Sequence, residues 1–390
     1  MELTSLTLTN YRNIGALEWE PPPGLVVLSG NNAQGKSNLL EAVYLLAIAR
    51  SYRASAEREL LAWSAAKQGG HALVSGTVRR EGGPLEIRLG LEWEAGLSSG
   101  GGVRKLVRVN GIARRVSELV GLFRAVLFSP DDMEMVYGPP AIRRRYLDVM
   151  LCQASSSYLR ALQRYQRVLT QRNHLLRSLR ERAAQQEELA FWDESLCTEG
   201  AVILEARHGA MERLTTLVQG AYARLAAAGQ VPEQPLEVAY TDTAPPSDAS
   251  GPAAFRQGMA EALERAHGQE RVLAQTVVGP HRDDVRLSID GMEMGRYASR
   301  GQARIAALAL RLAEGELLTE RRGEPPVLLL DDVLSELDEG HRALVLEEAS
   351  HYPQALVTTA NVGLLPAWCQ ERAHHFQVVN GQLTADAHGA

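Results

Sequence analysis

The sequence predicts an α/β fold in which a mainly helical lobe is inserted between the two halves of one head domain. Three observations predict it: a strand, a glycine-rich loop and a helix near the N-terminus, an apolar strand that ends in two aspartates about 295 residues later, and a long helical stretch between them. The glycine-rich loop and the two aspartates are expected to meet in one site, and their distance in the chain then requires a large insertion between them. We therefore expect residues 1–140 and 271–390 to form the head and residues 141–270 to form the lobe.

A phosphate-binding loop is the clearest feature of the first half of the head. Residues 30–37 match the pattern G-x-x-x-x-G-K-[ST], and a chance match is rare because only three of the 41 basic residues are lysines. The apolar run 25–28 predicts a buried strand before the loop, and residues 38–46 predict a helix after it. This arrangement points backbone N–H groups and a helix dipole at a polyphosphate. The alternative is a glycine-rich turn before a core helix.

We assign the candidate phosphate cradle of a nucleoside triphosphate to nine residues: Gly30, Asn31, Asn32, Ala33, Gln34, Gly35, Lys36, Ser37 and Asn38. Within it, the Lys36 ammonium would contact the β- and γ-phosphates and the Ser37 hydroxyl would contact Mg²⁺.

Antiparallel hairpins are predicted in both halves of the head. Residues 72–109 alternate apolar and polar side chains, with turn signals at Gly82-Gly83 and Asn110-Gly111. Two later hairpins are predicted with turns at Asp290-Gly291 and Asn380-Gly381. We therefore expect a mixed sheet beneath the nucleotide and an antiparallel β subdomain packed against it.

The predicted lobe concentrates basic charge in a chain whose net charge is −6. Between residues 141 and 190 there are ten arginines and four acidic residues. On a helical projection, one face is apolar and is formed by Tyr158, Leu162, Tyr165, Leu169 and Leu176. The opposite face carries Arg160, Arg164 and Arg167. This face is either a solvated helix surface or a contact surface for nucleic-acid phosphates, and no pattern in the sequence indicates base reading.

An acidic strand end marks the second half of the head. The apolar run Val327–Leu330 predicts a buried parallel strand, and Asp331 and Asp332 follow it directly. Phosphoryl transfer needs a Mg²⁺ ligand and a water-orienting base, and two carboxylates at the carboxyl end of such a strand could supply them. The alternative is that an aspartate here caps the helix that follows. We assign Asp331 as the Mg²⁺ ligand and Asp332 as the general base, so the candidate catalytic residues are Lys36, Asp331 and Asp332.

Two further segments complete an order of motifs that resembles the ABC-type ATPases: residues 297–304 with the helical run after them, and residues 335–338. Read alone, Ser299 is an ordinary helix N-cap. The resemblance implies that ATP and Mg²⁺ are the ligands, and that the signature loop of one subunit closes on the γ-phosphate held by another. It assigns to the shared site Ser299, Arg300, Gly301 and Gln302 of the signature loop and Asp338 of the D-loop.

The remaining segments resemble a narrower family. Residues 6–14 are similar to the first strand of the SMC-like branch of these ATPases, in which an arginine at the position of Arg12 approaches the nucleotide. Residues 128–132, 143–148 and 279–284 resemble motifs of the RecF family of bacterial recombination mediators, and the resemblance covers nearly the whole chain.

The resemblance to the RecF family implies a weak, DNA-dependent ATPase that acts as a switch. Proteins of this family dimerise on ATP as a clamp on DNA, work with RecR and often RecO, and help load RecA at single-strand gaps. The expected contacts are with the backbone of duplex, gapped or junction DNA, through Arg143, Arg144, Arg145, Arg160, Arg164 and Arg167. Slow ATP hydrolysis would release the clamp.

Three positions depart from the wider ABC pattern. Asp332 stands where glutamate is usual, no glutamine occurs in residues 128–137 where a Q-loop is expected, and Thr358-Thr359 stand where a switch histidine is common. These departures favour slow hydrolysis over brisk turnover. They leave the Q-loop role without an assigned residue.

Two other functional classes stay open. One is the ATPase subunit of another ABC-type machine, such as a transporter or a nuclease-associated complex. The other is a small-molecule kinase or a nuclease, for which the pairs Asp131-Asp132 and Asp283-Asp284 would matter.

The cysteine spacing suggests neither a metal site nor a disulfide, the N-terminus has no signal-peptide pattern, and no apolar run reaches the ~20 residues that span a bilayer. We expect a cytoplasmic protein without a membrane partner.

Overall fold

The computed structural model describes residues 1–63, 70–94, 102–181, 186–228, 234–248 and 251–385. The chain divides into two compact units that are each assembled from separate segments. Unit 1 comprises Met1–Met133, Gly220–Glu233 and Arg304–Ala390, and unit 2 comprises Glu134–Gln219 and Gln234–Ala303.

The described strands are, in chain order, β1 (Glu2–Tyr11), β2 (Ile14–Trp19), β3 (Gly24–Ser29), β4 (His71–Arg79), β5 (Leu85–Glu94), β6 (Gly102–Val109), β7 (Ile112–Arg114), β8 (Ala125–Phe128), β9 (Leu236–Thr241), β10 (Asp284–Ile289), β11 (Met292–Glu293), β12 (Val327–Leu330), β13 (Gln354–Thr359), β14 (His374–Val379) and β15 (Gln382–Ala385). The described α-helices are α1 (Lys36–Ile48), α2 (Val116–Leu119), α3 (Glu134–Tyr137), α4 (Pro140–Ala154), α5 (Ser156–Arg180), α6 (Leu189–Ala228), α7 (Pro252–Leu273), α8 (Met294–Tyr297), α9 (Arg300–Arg322), α10 (Glu339–Ser350) and α11 (Ala367–Arg372). Short 3₁₀ helices span Glu57–Leu60, Pro130–Met133, Gln186–Glu188, Val333–Glu336 and Val362–Leu364.

A mixed six-stranded sheet forms the centre of unit 1, with the order β15-β14-β3-β13-β12-β8. The five strands from β14 to β8 run parallel, and β15 pairs with β14 in the antiparallel sense. The phosphate loop follows β3 and the acidic pair follows β12, so only β13 lies between them. Because the carboxyl ends of parallel strands share one edge of a sheet, residues almost 300 positions apart in sequence reach the same edge.

A second, antiparallel sheet of unit 1 has the order β2-β1-β4-β5-β6-β7. Helix α1 packs against strands of both sheets, and its residues Leu39–Ala47 are buried. The approach to β4 is close, since a Cβ atom on Gly76 would lie 2.7 Å from a methyl group of Leu46. The predicted turn at Asn110-Gly111 is confirmed, with φ of 48° and 76°.

Unit 2 is mainly helical, as expected for the lobe, but its bounds differ from those predicted. It starts at Glu134, and it extends to Ala303 where the prediction ended the lobe at residue 270. The reason is strand pairing: β10 of the hairpin that turns at Asp290-Gly291 pairs with β9 in a three-stranded sheet of unit 2. Helices α6 and α9 contain residues of both units. Among the described residues, no helix is both long and apolar enough to span a membrane.

Candidate nucleotide-binding site

The phosphate loop joins β3 to α1 in a conformation that requires glycine at two positions. Gly30 has a φ of 147°, and a Cβ atom there would lie 2.5 Å from the carbonyl oxygen of Val378. Gly35 has a φ of 111° and occupies the N-cap position of α1, where no side chain makes a capping hydrogen bond. The first N–H groups of α1 are therefore left for an anion.

The Lys36 side chain is folded back onto the loop. Its Nζ donates to the carbonyl oxygens of Gly30 at 2.6 Å and Asn31 at 3.0 Å. Burial lowers the pKa of the Lys36 ammonium, while the carboxylates of Asp332 and Asp331 oppose that shift. The ammonium thus lies within electrostatic reach of the acidic pair, as a site for triphosphate and Mg²⁺ requires.

Two other predicted contacts, Gln34 and Asn38, support the loop from the protein side. The Gln34 carbonyl oxygen accepts from Gly381 N at 2.8 Å, and the Gln34 side chain accepts from Asn380 N at 2.7 Å. The Asn38 amide donates to the Asn13 side chain at 2.8 Å. The predicted final hairpin turn at Asn380-Gly381 is confirmed, and it holds the loop through these bonds.

Arg12 lies in the turn between β1 and β2, with a φ of 52°. Its Nε and Nη2 atoms donate to the carboxylate of Glu41 at 2.8 and 2.6 Å. The buried Glu41 carboxylate also accepts from the Tyr11 hydroxyl at 2.9 Å and the Ser51 hydroxyl at 2.5 Å. Although burial opposes it, the hydrogen bonds of Arg12 and Ser51 hold the pKa of Glu41 below its usual value.

Sequence reasoning missed this role of Glu41. The available signal was a single carboxylate within the otherwise apolar helical run 39–46. The structure shows that Arg12 and Glu41 tie the N-terminal turn to α1, directly beside the phosphate loop.

The two residues of the acidic pair follow β12 and make different hydrogen bonds. Asp331 accepts hydrogen bonds from the Tyr52 hydroxyl at 2.7 Å and the Thr358 hydroxyl at 3.0 Å. The Asp332 N–H donates to the same Thr358 hydroxyl at 2.8 Å. Asp332 has a left-handed backbone (φ 52°, ψ 24°), and its side chain makes no capping hydrogen bond to the 3₁₀ helix after it. The alternative interpretation of Asp332 as a capping side chain is therefore wrong.

Burial raises the pKa of Asp332; the Lys36 ammonium opposes that shift and the Asp331 carboxylate adds to it. Burial, followed by the charge and hydrogen bond of Asp331, raises the pKa of Tyr52 above its ordinary range, so its hydroxyl remains a donor. The donor set of hydroxyl and carboxylate oxygens fits Mg²⁺, which prefers hard oxygen ligands. Ser37 and Asp331 are the residues that would hold it.

The signature segment begins helix α9. Ser299 and Gln302 form a reciprocal cap: the Gln302 N–H donates to the Ser299 hydroxyl at 3.2 Å, and the Ser299 N–H donates to the Gln302 side chain at 2.9 Å. Ser299, Arg300 and Gly301 are exposed. The predicted N-cap at Ser299 is confirmed.

Asp338, the predicted D-loop residue, caps α10. Its carboxylate accepts from His341 N at 3.0 Å and pairs with His341 Nδ1 at 2.6 Å. These bonds hold the pKa of Asp338 below its ordinary value. The Asp338 side chain is still 62% exposed, so the cap leaves part of it accessible.

Two arginines predicted to contact DNA have internal partners instead. Arg143 forms a two-point ion pair with Asp284 at 2.8 and 2.9 Å, and its side chain is 12% exposed. Arg144 donates to the carbonyl oxygen of Asp283 at 2.7 Å. Both therefore hold the chain where β10 begins, and this part of the DNA prediction is corrected. Arg145 is exposed.

A buried polar network in unit 2 connects the family-like segments 143–148 and 279–284. Arg207 donates to the Asp148 carboxylate at 2.7 Å and to the carbonyl oxygen of Pro280 at 2.7 Å. The Tyr165 hydroxyl lies 2.7 Å from Nδ1 of His281, whose Nε2 lies 3.2 Å from the carbonyl oxygen of Thr276. Residues 279–284 thus acquire a structural role that the sequence did not assign.

Carboxylates of both acidic pairs that left a nuclease open have hydrogen-bond partners within the protein. Asp283 accepts from the Tyr240 hydroxyl at 2.7 Å and the Thr243 hydroxyl at 2.7 Å. Asp132 accepts from Arg311 at 2.6 Å and from Ser129 N at 2.9 Å. These carboxylates stabilise local structure.

The predicted basic face of α5 is present. Arg160, Arg164 and Arg167 are exposed, while Tyr158 and Tyr165 on the other side are 1% exposed. Arg164 is already paired with Glu199 at 2.5 Å. Arg160 and Arg167 therefore contribute more of the unpaired positive charge on this face than Arg164 does.

Comparison with known proteins identifies close relatives over the full length. A family profile described as RecF/RecN/SMC N terminal domain matches residues 2–381. The DNA replication and repair protein RecF of Herpetosiphon aurantiacus is 42% identical over 369 residues, covering 92% of this chain and 93% of the relative. The protein of the same name from Chloroflexus aggregans is 39% identical over 397 residues, covering 99% and 100%.

Solved structures agree with this result. The recombination mediator protein RecF with ATP, of the RecFOR pathway, has a TM-score of 0.86 and 30% identity, covering 99% of this chain and 97% of that chain. An Smc head bound to the C-winged helix domain of ScpA has a TM-score of 0.53 and 14% identity, and so shows the fold alone. The predicted fold class, an ABC/SMC-like head with a helical region, is confirmed, and the chain belongs to the RecF family.

Proposed function

We propose that this protein is an ATP-dependent DNA-binding protein of recombinational repair, with a weak ATPase that acts as a release switch. The observation that carries the proposal is the site in unit 1, where the uncapped N-terminus of α1, Lys36 and the acidic pair share one sheet edge. The relatives support it, since they are named for DNA replication and repair and one is described with ATP. Nothing described favours a transporter or a metabolite kinase.

Each side chain of the site has a separate task in the proposed reaction. Lys36 exchanges its two loop carbonyls for the β- and γ-phosphates, which compensates the cost of its burial. Ser37 and Asp331 would hold Mg²⁺, which offsets phosphate charge when bound. Asp332 orients the attacking water and accepts its proton, and its raised pKa makes it a better base than a surface aspartate.

The exposed signature segment supplies the second half of the proposed site. In a dimer, the N-terminus of α9 of one copy, with Ser299 and Gly301, faces the γ-phosphate bound by the other copy. Asp338, whose side chain is exposed, is proposed to contact the nucleotide of the other copy, as its resemblance to a D-loop residue implies. Because the nucleotide is shared, ATP stabilises the dimer by mass action and hydrolysis weakens it.

For DNA, we propose backbone contacts through the basic face of α5. Arginine side chains on one helix side bind phosphates without reading bases, so the affinity should depend strongly on salt. RecR, RecO and the recombinase RecA are the protein partners that membership of the RecF family suggests. Gapped duplex is the proposed substrate.

The proposal is tested by size-exclusion chromatography with light scattering, with and without Mg-ATP and a short gapped duplex. The wild-type protein should be a monomer alone and a dimer that retains DNA with Mg-ATP. Ser299→Arg should bind ATP as a monomer but fail to dimerise. Ser350→Arg introduces the same charge at the exposed end of α10 and should dimerise normally.

A Ser299→Arg protein that still dimerises on ATP would refute the shared site. Lys36→Met should lose ATP binding itself, and therefore both dimerisation and DNA retention. An ATP-independent mass for the wild type would contradict the switch.

A further inference from the structure

Tyr52 makes a contact that none of the recognised motifs contains. It lies in the segment after α1, and its hydroxyl donates to Oδ2 of Asp331 at 2.7 Å. Its ring packs edge-on against Tyr44, with ring centres 5.8 Å apart and an interplanar angle of 86°. The ring is thus held by packing, and the hydroxyl has a defined direction towards the candidate Mg²⁺ ligand.

A second hydroxyl reaches the other oxygen of the same carboxylate. Thr358, at the carboxyl end of β13, lies 3.0 Å from Oδ1 of Asp331 and accepts the Asp332 N–H at 2.8 Å. Thr358 is fully buried and Asp331 is 6% exposed. The carboxylate of Asp331 is therefore restrained on both oxygens, by hydroxyls from two separate segments.

This arrangement leaves lone pairs on the Asp331 carboxylate that can bind a metal ion. Each carboxylate oxygen has two lone-pair sites, and each receives one hydrogen bond from a hydroxyl in this structure. A metal ligand whose orientation is set by outer hydrogen bonds needs no reorientation on binding, and loss of such a partner lowers metal affinity roughly 10–100-fold.

We propose that Tyr52 is a positioning residue for Asp331: its hydroxyl, opposed by that of Thr358, holds the carboxylate in the orientation that receives Mg²⁺ with the nucleotide. The inference rests on the proposed function, because Asp331 is a metal ligand only there. It assigns to Tyr52 and Thr358 control of metal affinity, separate from control of nucleotide affinity, which the loop and Lys36 determine.

The test compares hydroxyl deletions that keep side-chain shape. Tyr52→Phe and Thr358→Val remove one hydrogen bond each from Asp331. Thr358→Ser restores a hydroxyl at the second position. Tyr11→Phe is the matched control, since it removes a buried tyrosine hydroxyl from another carboxylate, that of Glu41.

Two binding measurements are made on the full chain. Mn²⁺ binding to the ATP-loaded protein is followed by electron paramagnetic resonance, and binding of a fluorescent ATP analogue is measured in EDTA. Tyr52→Phe and Thr358→Val should weaken Mn²⁺ binding roughly 10-fold with unchanged nucleotide affinity in EDTA. Tyr11→Phe and Thr358→Ser should stay near wild type in both.

The outcomes separate the two claims. Wild-type Mn²⁺ affinity in Tyr52→Phe, or an equal loss of nucleotide affinity in EDTA, would overturn the inference, because a purely structural role moves both measurements together. The proposed function would survive that result. A wild-type protein that binds neither the ATP analogue in EDTA nor Mn²⁺ in the presence of ATP would overturn both the inference and the proposed function.

Discussion

Replacing His281 with glutamine should remove a pH-dependent part of the stability of this protein. The imidazole is bound by the Tyr165 hydroxyl at 2.7 Å and lies 3.2 Å from the Thr276 carbonyl oxygen, so the neutral form with hydrogen on Nε2 satisfies both. Burial lowers the pKa of His281 from 6.5 to about 4, and the neighbouring Arg282 charge also disfavours the imidazolium. Glutamine can still form hydrogen bonds but does not titrate.

The magnitude follows from linkage. Because the folded pKa is below the unfolded one, the unfolded chain binds more protons between pH 4 and 6.5, and stability falls as the pH falls. The slope is about 1.4 kcal/mol per pH unit in that window, which gives about 2 kcal/mol between pH 7 and pH 5 and about 3 kcal/mol in total. The contribution is fully present above pH 6.5.

Urea unfolding at pH 7 and pH 5 measures this effect in wild type and in His281→Gln. Intrinsic fluorescence follows unfolding of both units, because Trp192 lies in the sequence of unit 2 and the other four tryptophans lie in that of unit 1. Asp283, whose pKa is raised by burial, contributes with the opposite sign and remains in both proteins, so the difference between them isolates His281. Equal pH dependence in the two proteins would refute the reasoning. A loss of ATP hydrolysis without any change in stability would indicate a catalytic role for His281.

Four other predictions concern the nucleotide and DNA sites. Asp332→Asn should lower the single-turnover rate of ATP hydrolysis about 100-fold or more with ATP affinity nearly unchanged, and rapid turnover by it would exclude Asp332 as the base. In wild type, hydrolysis should decline as the pH falls through the raised pKa of Asp332, because the ionised form is required. Gly30→Ala should reduce both ATP affinity and melting temperature, since its Cβ would lie 2.5 Å from a backbone carbonyl; wild-type values in calorimetry would contradict the loop geometry. Arg160→Gln should reduce the salt slope of DNA binding by about one unit, and Arg164→Gln by less, because Glu199 already pairs with Arg164.

Local patterns predicted the parts of the fold that depend on neighbouring residues. The strand Val327–Leu330 has the predicted bounds, and the turns at Asn110-Gly111, Asp290-Gly291 and Asn380-Gly381 all join paired strands. Positive φ angles at such dipeptides and apolar runs in buried strands are properties of short segments. The division into units was predicted less well, because β10 pairs with β9, and pairing between distant strands has no local signal.

The phosphate loop, the acidic pair and the order of motifs could be predicted from the amino-acid sequence alone, because each is a contiguous pattern whose chemistry depends on residue types at fixed spacing. The contacts around them depend on how distant segments pack. The tertiary structure assigned Arg143 to Asp284 and Arg12 to Glu41, and it brought Tyr52 to Asp331. Such pairs join residues separated by up to 279 positions. Their formation depends on the order of strands in the sheet and on the cost of burying an unpaired polar group. Neither factor can be read from a short segment of sequence.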